Sequence, residues 1–151
     1  MLTGLIEDGA SVADIGTDHG YLPVYLAQIK SSGKIIASDI SAYSVKKALK
    51  TAEKHNVTDK ITFFTTPGLD SIGPDDVDTI VIAGLGGETI LHILEDAPWT
   101  KNRSITLILQ PQSKFDILFR FLYDNGYGFK EIKYIFEKSK RYTIIQCGYD
   151  G

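Results

Sequence analysis

The sequence predicts an α/β fold: a doubly wound, mostly parallel sheet of seven strands that closes on an antiparallel C-terminal hairpin. Three observations carry this. Short apolar runs of strand character alternate with stretches of helical period almost throughout the chain. Glycines and acids cluster in the turns that follow several of these runs. The end of the chain then breaks the alternation with two aromatic, β-branched runs too close together for a crossover helix.

Taken in order, strands are expected at Ser11–Ile15, Lys34–Asp39, Ile61–Thr65, Asp78–Ala83 and Ile105–Gln110. Helices are expected between them at Tyr21–Lys30, Ala42–His55, Glu88–Glu95 and Lys114–Asn125. Ser41 is placed to cap the second helix, one residue after Asp39-Ile40. Asn125-Gly126 is a stop signal for the fourth. Strands separated by helices pair in parallel through right-handed crossovers. Tyr127–Phe136 and Tyr142–Tyr149 are joined only by the polar link Glu137 to Arg141, so they must pair antiparallel. No repeat, low-complexity segment or linker interrupts the chain, and residues 1–151 read as one domain.

The totals narrow the class. A hydrophobic share of 43% and a charged share of 23% suit a soluble globular protein. No apolar run approaches the roughly 18 residues of a membrane helix, and Met1–Gly9 is acidic and unlike a secretory signal, so no membrane partner is expected. The one cysteine, Cys147, cannot form an internal disulfide, and a reducing cytoplasm is the natural setting. A net charge of -3 argues against a broadly basic face but not against a local basic patch. The sequence leaves the oligomeric state open.

Asp14-Ile15-Gly16-Thr17-Asp18-His19-Gly20-Tyr21 is the most informative segment. It sits between a strand and a helix, where backbone N–H groups and a helix dipole converge. A dinucleotide-binding turn spaces its glycines as G-x-G-x-x-G. Here the pattern is Asp14, Gly16, Asp18, Gly20, with an acid where the middle glycine would fall. Gly16 lets the chain turn, Gly20 lets the helix start close to a ligand, and Asp14 is placed to accept from an ammonium group. A ligand with both a carboxylate and an ammonium, such as S-adenosylmethionine, fits this loop better than a bare phosphate.

Other strand ends point the same way. Asp39 ends the second strand 23 residues after Gly16, where an acid accepts from ribose hydroxyls. That supports a nucleoside without choosing between S-adenosylmethionine and a nicotinamide cofactor. Gly84-Leu85-Gly86-Gly87 follows the fourth strand and suits close backbone approach. The loops at residues 16–21, 39–40 and 84–87 should therefore converge on one pocket, with Gln110-Pro111-Gln112 on its rim. The expected cofactor-binding set is Asp14, Gly16, Gly20, Asp39, Ile40, Gly68, Gly84 and Leu85.

Together, VADIGTDHGYLP, IASDIS, IAGLGGETILHILE and LILQPQ resemble the bacterial tRNA (adenine-22-N1)-methyltransferase family (TrmK-like). These segments span residues 12 to 112 in the family's order. The resemblance implies a Rossmann-like class I methyltransferase fold, S-adenosylmethionine as methyl donor with S-adenosylhomocysteine as product, and a tRNA adenine as acceptor. It places Asp18, His19 and Tyr21 near the transferring methyl group and the target base as the catalytic candidates. Three features depart from the family pattern. The chain stops at Gly151, without the family's usual C-terminal helical extension. Only Met1–Gly9 stands where the family has a longer helical segment. Pro67 occupies the place of an acid beyond the third strand, with Asp70 nearby.

Attack by adenine N1 needs no prior deprotonation, so the protein mainly aligns the partners and stabilises charge moving onto the base. Asp18 is the electrostatic candidate, Tyr21 a stacking wall, and His19 a hydrogen-bonding or loop-holding group. No metal is expected, because His55 and His92 lie on separate helices; His92 reads as a surface partner of Glu88. Cys147 lies away from the strand ends, which favours nitrogen or oxygen methylation over pyrimidine carbon-5 chemistry. The basic, aromatic stretch Lys130–Tyr142 and the lysines of the second helix read as solvated faces. Two alternatives stay open: a cofactor-binding module without activity, and a nicotinamide-dependent oxidoreductase.

Overall fold

A computed structural model describes residues 2–29 and 33–151. The C-terminal residue of the first expected helix, Lys30, lies outside that set. The strands are β1 (Val12–Ile15), β2 (Ile35–Asp39), β3 (Thr62–Thr65), β4 (Thr79–Leu85), β5 (Thr106–Pro111), β6 (Tyr127–Glu137) and β7 (Lys140–Tyr149). The helices are α1 (Tyr21–Ile29), α2 (Ala42–Lys54), α3 (Gly87–Glu95) and α4 (Phe115–Asp124). Every expected element is present, in the expected order. None of the described helices is long and apolar enough to cross a membrane.

All seven strands form one sheet in the order β3-β2-β1-β4-β5-β7-β6. β1 pairs in parallel with both β2 and β4, so strand order reverses at β1, where doubly wound sheets open a crevice. β7 inserts antiparallel between β5 and β6. β6 is thus an edge strand, and its lysines suit that exposure.

Two departures from the expected boundaries have local causes. The hairpin link is shorter than Glu137–Arg141, because Lys138 (φ 51°) and Ser139 (φ 67°) are both left-handed. That two-residue geometry matches strand twist and carries the ladder to the Glu137–Lys140 pair. β4 runs past Ala83 to Leu85, because Gly84 (φ 78°) absorbs a register shift against β5. Part of the expected glycine loop is therefore bulged strand.

Alternation along the strands builds two cores, one on each face of the sheet. Ala13, Ile15, Ile80, Ile82, Leu107, Leu109, Ile145 and Cys147 join Ile90 and Leu94 of α3 and Leu118 and Leu122 of α4. Val12, Val81, Ile108 and Ile144 face the other way, with Val24, Leu26 and Ala27 of α1 and Ala52 of α2. Asp14 and Gln110 share the parity of Val12 and Ile108, so they belong to the α1 face of the sheet.

The helix ends follow local chemistry. Pro23 sits in the first turn of α1, where no helical N–H is needed, and the Gly20 carbonyl accepts from the Val24 N–H at 3.1 Å. Ser41 caps α2 as expected, its Oγ accepting from the Ser44 N–H at 3.3 Å. Gly126 (φ 83°) follows α4 in the left-handed position that ends helices.

Candidate active site

At the C-terminal edge of the parallel strands lies a cleft of about 670 Å³. Ile15, Gly16 and Asp18 line it from the end of β1, Asp39 and Ile40 from β2, and Ala83, Gly84 and Leu85 from β4. The three loops expected to converge do so. Thr66, Pro67, Gly68 and Asp70 close one end beyond β3, and Thr89, His92, Ile93 and Asp96 face them from α3.

Gly16 (φ 77°) and Gly84 (φ 78°) are both left-handed, and this keeps two bare stretches of backbone at the cleft wall. The carboxylate of Asp39 organises the turn. Its Oδ2 accepts from the Asp18 N–H at 3.2 Å, and its Oδ1 accepts from the Ser41 N–H at 3.0 Å. Ser38 supports the same turn from below, its carbonyl accepting from Gly16 N–H (2.9 Å) and Thr17 N–H (3.0 Å).

Asp18 itself is left-handed (φ 52°), a conformation that an aspartate tolerates better than most residues. Its Oδ1 pairs with Lys47 Nζ of α2 at 3.0 Å, and its Oδ2 lies 3.8 Å from His19 Nε2. The Lys47 ammonium also sits 5.0 Å from the Tyr43 ring centroid. The His19 and Tyr21 rings stack at 5.3 Å. One loop thus carries a linked series of side chains from α2 to the start of α1.

A family model described as a methyltransferase domain matches residues 1–145. The chain belongs to the methyltransferase-domain family. Within it, the expected kinship with the tRNA (adenine-22-N1)-methyltransferases holds. The Bacillus subtilis tRNA (adenine(22)-N(1))-methyltransferase is 32% identical over 97% of this chain and 64% of its own length. TrmK of M. capricolum, solved with S-adenosyl-homocysteine, superposes with a TM-score of 0.85 at 30% identity, over 99% of this chain and 66% of that one. Streptococcus pneumoniae Sp1610, solved with S-adenosyl-L-methionine, gives 0.89 at 31%, over 98% and 70%. The chain therefore spans a little under two thirds of the B. subtilis relative.

The methyltransferase domain sorts its sequence-predicted residues into three groups. Gly16, Asp18, Asp39, Ile40, Gly68, Gly84 and Leu85 line the cleft. Gly20 does not. A Cβ there would stand 2.7 Å from the Cβ of Ala48, so Gly20 serves the packing of the loop on α2. Tyr21 also turns away and lines a second hollow, between α1 and the β6–β7 hairpin.

Asp14 lies beneath the cleft, 6% exposed. Burial pushes its carboxyl up to about 7; the Thr17 side chain draws it partly back, and the Asp39 carboxylate adds to the rise. The Thr17 hydroxyl makes no well-aligned hydrogen bond to any described group, so its hold on Asp14 is loose.

Several cleft residues escaped the sequence reading. His92 pairs with Glu95, Nδ1 to Oε1 at 3.0 Å, rather than with Glu88, and it faces the cleft. Asp96 closes the same end; Asp70, which the sequence already set beside Pro67, reaches it through a turn in which its N–H donates to the Pro67 carbonyl at 3.1 Å. The helical spacing of Thr89, His92, Ile93 and Asp96 was the available signal. Cys147 is buried in the core, and its thiol is pushed up to about 12 by desolvation, far from nucleophilic use.

Proposed function

We propose that this domain binds S-adenosylmethionine in the strand-end cleft and transfers its methyl group to N1 of an adenine in tRNA, in the cytoplasm. The observation that carries the reading is Asp39. It ends β2 with its carboxylate on the cleft, between two bare glycine turns, where a ribose would meet it. The relatives solved with S-adenosyl-homocysteine and S-adenosyl-L-methionine support the same ligand. The B. subtilis relative, a tRNA (adenine(22)-N(1))-methyltransferase, supports the acceptor.

The residues fit such a group. Backbone at Gly16 and Gly84 takes the amino-acid end and linker without side-chain obstruction, and Asp39 takes the sugar hydroxyls. Asp14, poised between its charged and neutral forms, gains an ionised state when an ammonium group approaches. Asp70 and Asp96 offer acceptors for an exocyclic amine at the end where the family's usual acid is replaced by Pro67.

When bound, S-adenosylmethionine supplies a methyl group that departs as the acceptor's lone pair attacks, with the C–S bonding electrons staying on sulfur. Adenine N1 brings that lone pair, so the positive charge passes from sulfur to the base and no proton need leave. The protein's part is alignment and a favourable field. Asp18 faces the cleft and supplies negative charge, tempered by its pairing with Lys47. His19 and Tyr21 hold the loop between the cleft and the second hollow.

Calorimetry with S-adenosylhomocysteine against NAD tests the ligand, and methyl transfer to unmodified tRNA tests the reaction. Binding of S-adenosylhomocysteine but not NAD, with label incorporated at adenine N1, is the expected result. Preference for NAD, or label on another atom, removes the reading.

A further inference from the structure

The cleft has a neighbour on the other side of the Asp18–Tyr21 loop: a hollow of about 610 Å³ between α1 and the β6–β7 hairpin. Tyr21 and Tyr25 of α1 and Tyr142 of β7 line it with rings, and Ile135 and Ile144 lie among its apolar walls. Only a few polar side chains enter it, chief among them Gln110 from the end of β5 and Glu137 from the end of β6. A mostly apolar concavity with a few convergent polar groups is the usual form of a site for a flat organic ligand.

Two features tie this hollow to the cleft. The loop is shared, since Asp18 lines the cleft and Tyr21 lines the hollow three residues later. The β5 rim is shared too, with Gln112 on the cleft and Gln110 in the hollow. A third feature says what kind of molecule passes here. The hairpin turn that follows Glu137 and precedes Tyr142 carries Lys138, Lys140 and Arg141, a local positive patch on a chain of net charge -3. It suits a phosphodiester backbone.

We infer that the hollow between α1 and the hairpin receives the acceptor adenine, unstacked from its RNA strand, and that Gln110 reads the base through its N6 and N7 atoms. This rests on the methyl-transfer reading and adds the place and determinant of base recognition. Tyrosine rings offer stacking faces to an extruded base. A glutamine amide matches adenine in bidentate fashion, donating to N7 and accepting from the N6 amino group. Gln110 makes no side-chain hydrogen bond within the described residues, so its amide is available. Reading adenine on that edge leaves N1 unbonded, which the reaction requires. Guanine presents two acceptors on the same edge, N7 and O6. Glu137 can only accept when ionised, so the hollow disfavours guanine.

The test uses the full chain with S-adenosylhomocysteine bound and a fluorescein-labelled RNA stem–loop bearing one unpaired adenine. A second probe replaces that adenine by 7-deazaadenine, which keeps N1 and the amino group but lacks N7. Anisotropy is expected to show about tenfold weaker binding of the deaza probe by the unaltered protein, the loss of one arm of a bidentate contact. Gln110→Ala should weaken binding of the adenine probe and abolish the difference between the two, while S-adenosylhomocysteine affinity stays unchanged. Equal affinity of the unaltered protein for both probes overturns the inference, and so does a deaza penalty that survives in Gln110→Ala. A parallel methyl-transfer assay separates the two readings. Base-selective binding without methyl transfer overturns the proposed reaction and leaves the recognition site standing.

Discussion

Lys47 Nζ stands 3.0 Å from Asp18 Oδ1, so a helix with no ligand motif of its own holds the most strained residue of the cleft loop. Both side chains are partly exposed, 28% for Lys47 and 59% for Asp18, and solvent weakens the attraction. The pair is worth less than about 1 kcal/mol of stability. Its effect belongs to geometry. Lys47→Met is expected to shift the urea midpoint little and to lower kcat for methyl transfer several-fold. Asp18→Asn keeps the left-handed preference but removes the charge, so it should fold like the parent and lose more activity than Lys47→Met. Equal activity of Asp18→Asn and the parent would remove Asp18 from the mechanism.

Asp39 is expected to be the most sensitive ligand contact. Asp39→Asn weakens both the support of the turn and the acceptor offered to a ribose. A hydrogen bond to a charged group is worth roughly 1.5–3 kcal/mol. S-adenosylhomocysteine affinity should therefore fall about tenfold or more by calorimetry. Unaltered affinity would mean that the sugar lies elsewhere.

Gly20 gives a stability test independent of any ligand. Gly20→Ala would force a Cβ to 2.7 Å from the Ala48 Cβ and 2.9 Å from its backbone, at φ 74°. Overpacking and left-handed strain together should cost about 2–4 kcal/mol in urea unfolding. Adding Ala48→Gly should recover only part of that loss, because it removes the methyl group in the way but leaves the α2 backbone where it is.

Asp14 makes stability depend on pH. Its folded pKa is raised from 3.8 to about 7. Between those values the folded chain keeps a proton that the unfolded chain releases. Stability is therefore full below about pH 4, falls as pH rises to about 7, and levels off above. Asp14→Asn should flatten this slope, with a difference on the order of 2 kcal/mol between pH 5 and pH 8. The same variant should bind S-adenosylhomocysteine more weakly, since it lacks a carboxylate for the ammonium. Parallel slopes in parent and variant would show that Asp14 ionises normally.

Cys147 should behave as a core residue. A thiol reagent such as dithiobis-nitrobenzoate is expected to label it only at the rate of global unfolding, and labelling within seconds in native buffer would contradict its burial.

The frame was readable because strand parity and helix spacing are local signals. Ser41 and Gly126 announced their helix ends, and the acids and glycines after β1, β2 and β4 announced the cleft. Other features depend on packing that no local pattern records. Gly20 looked like a ligand glycine, yet its neighbour is Ala48, on a helix whose sequence gives no hint of the approach. Lys47 looked like a solvated lysine until α2 packed beside the loop. His92 had two acids within helical reach, and only rotamer choice selects Glu95 over Glu88.

The start of α3 carries a mechanical consequence. A Cβ on Gly87 would collide with the Lys114 carbonyl oxygen, and the Gly87 N–H donates to the Ser113 carbonyl at 2.8 Å. The Gln112 N–H in turn donates to the Leu85 carbonyl at 2.9 Å. Backbone hydrogen bonds thus stitch the turns after β4 and β5 into one block on that side of the cleft. Any adjustment to an incoming ligand then falls to the opposite jaw, where Lys47 grips Asp18 through solvent-facing charges that are cheap to part and re-form.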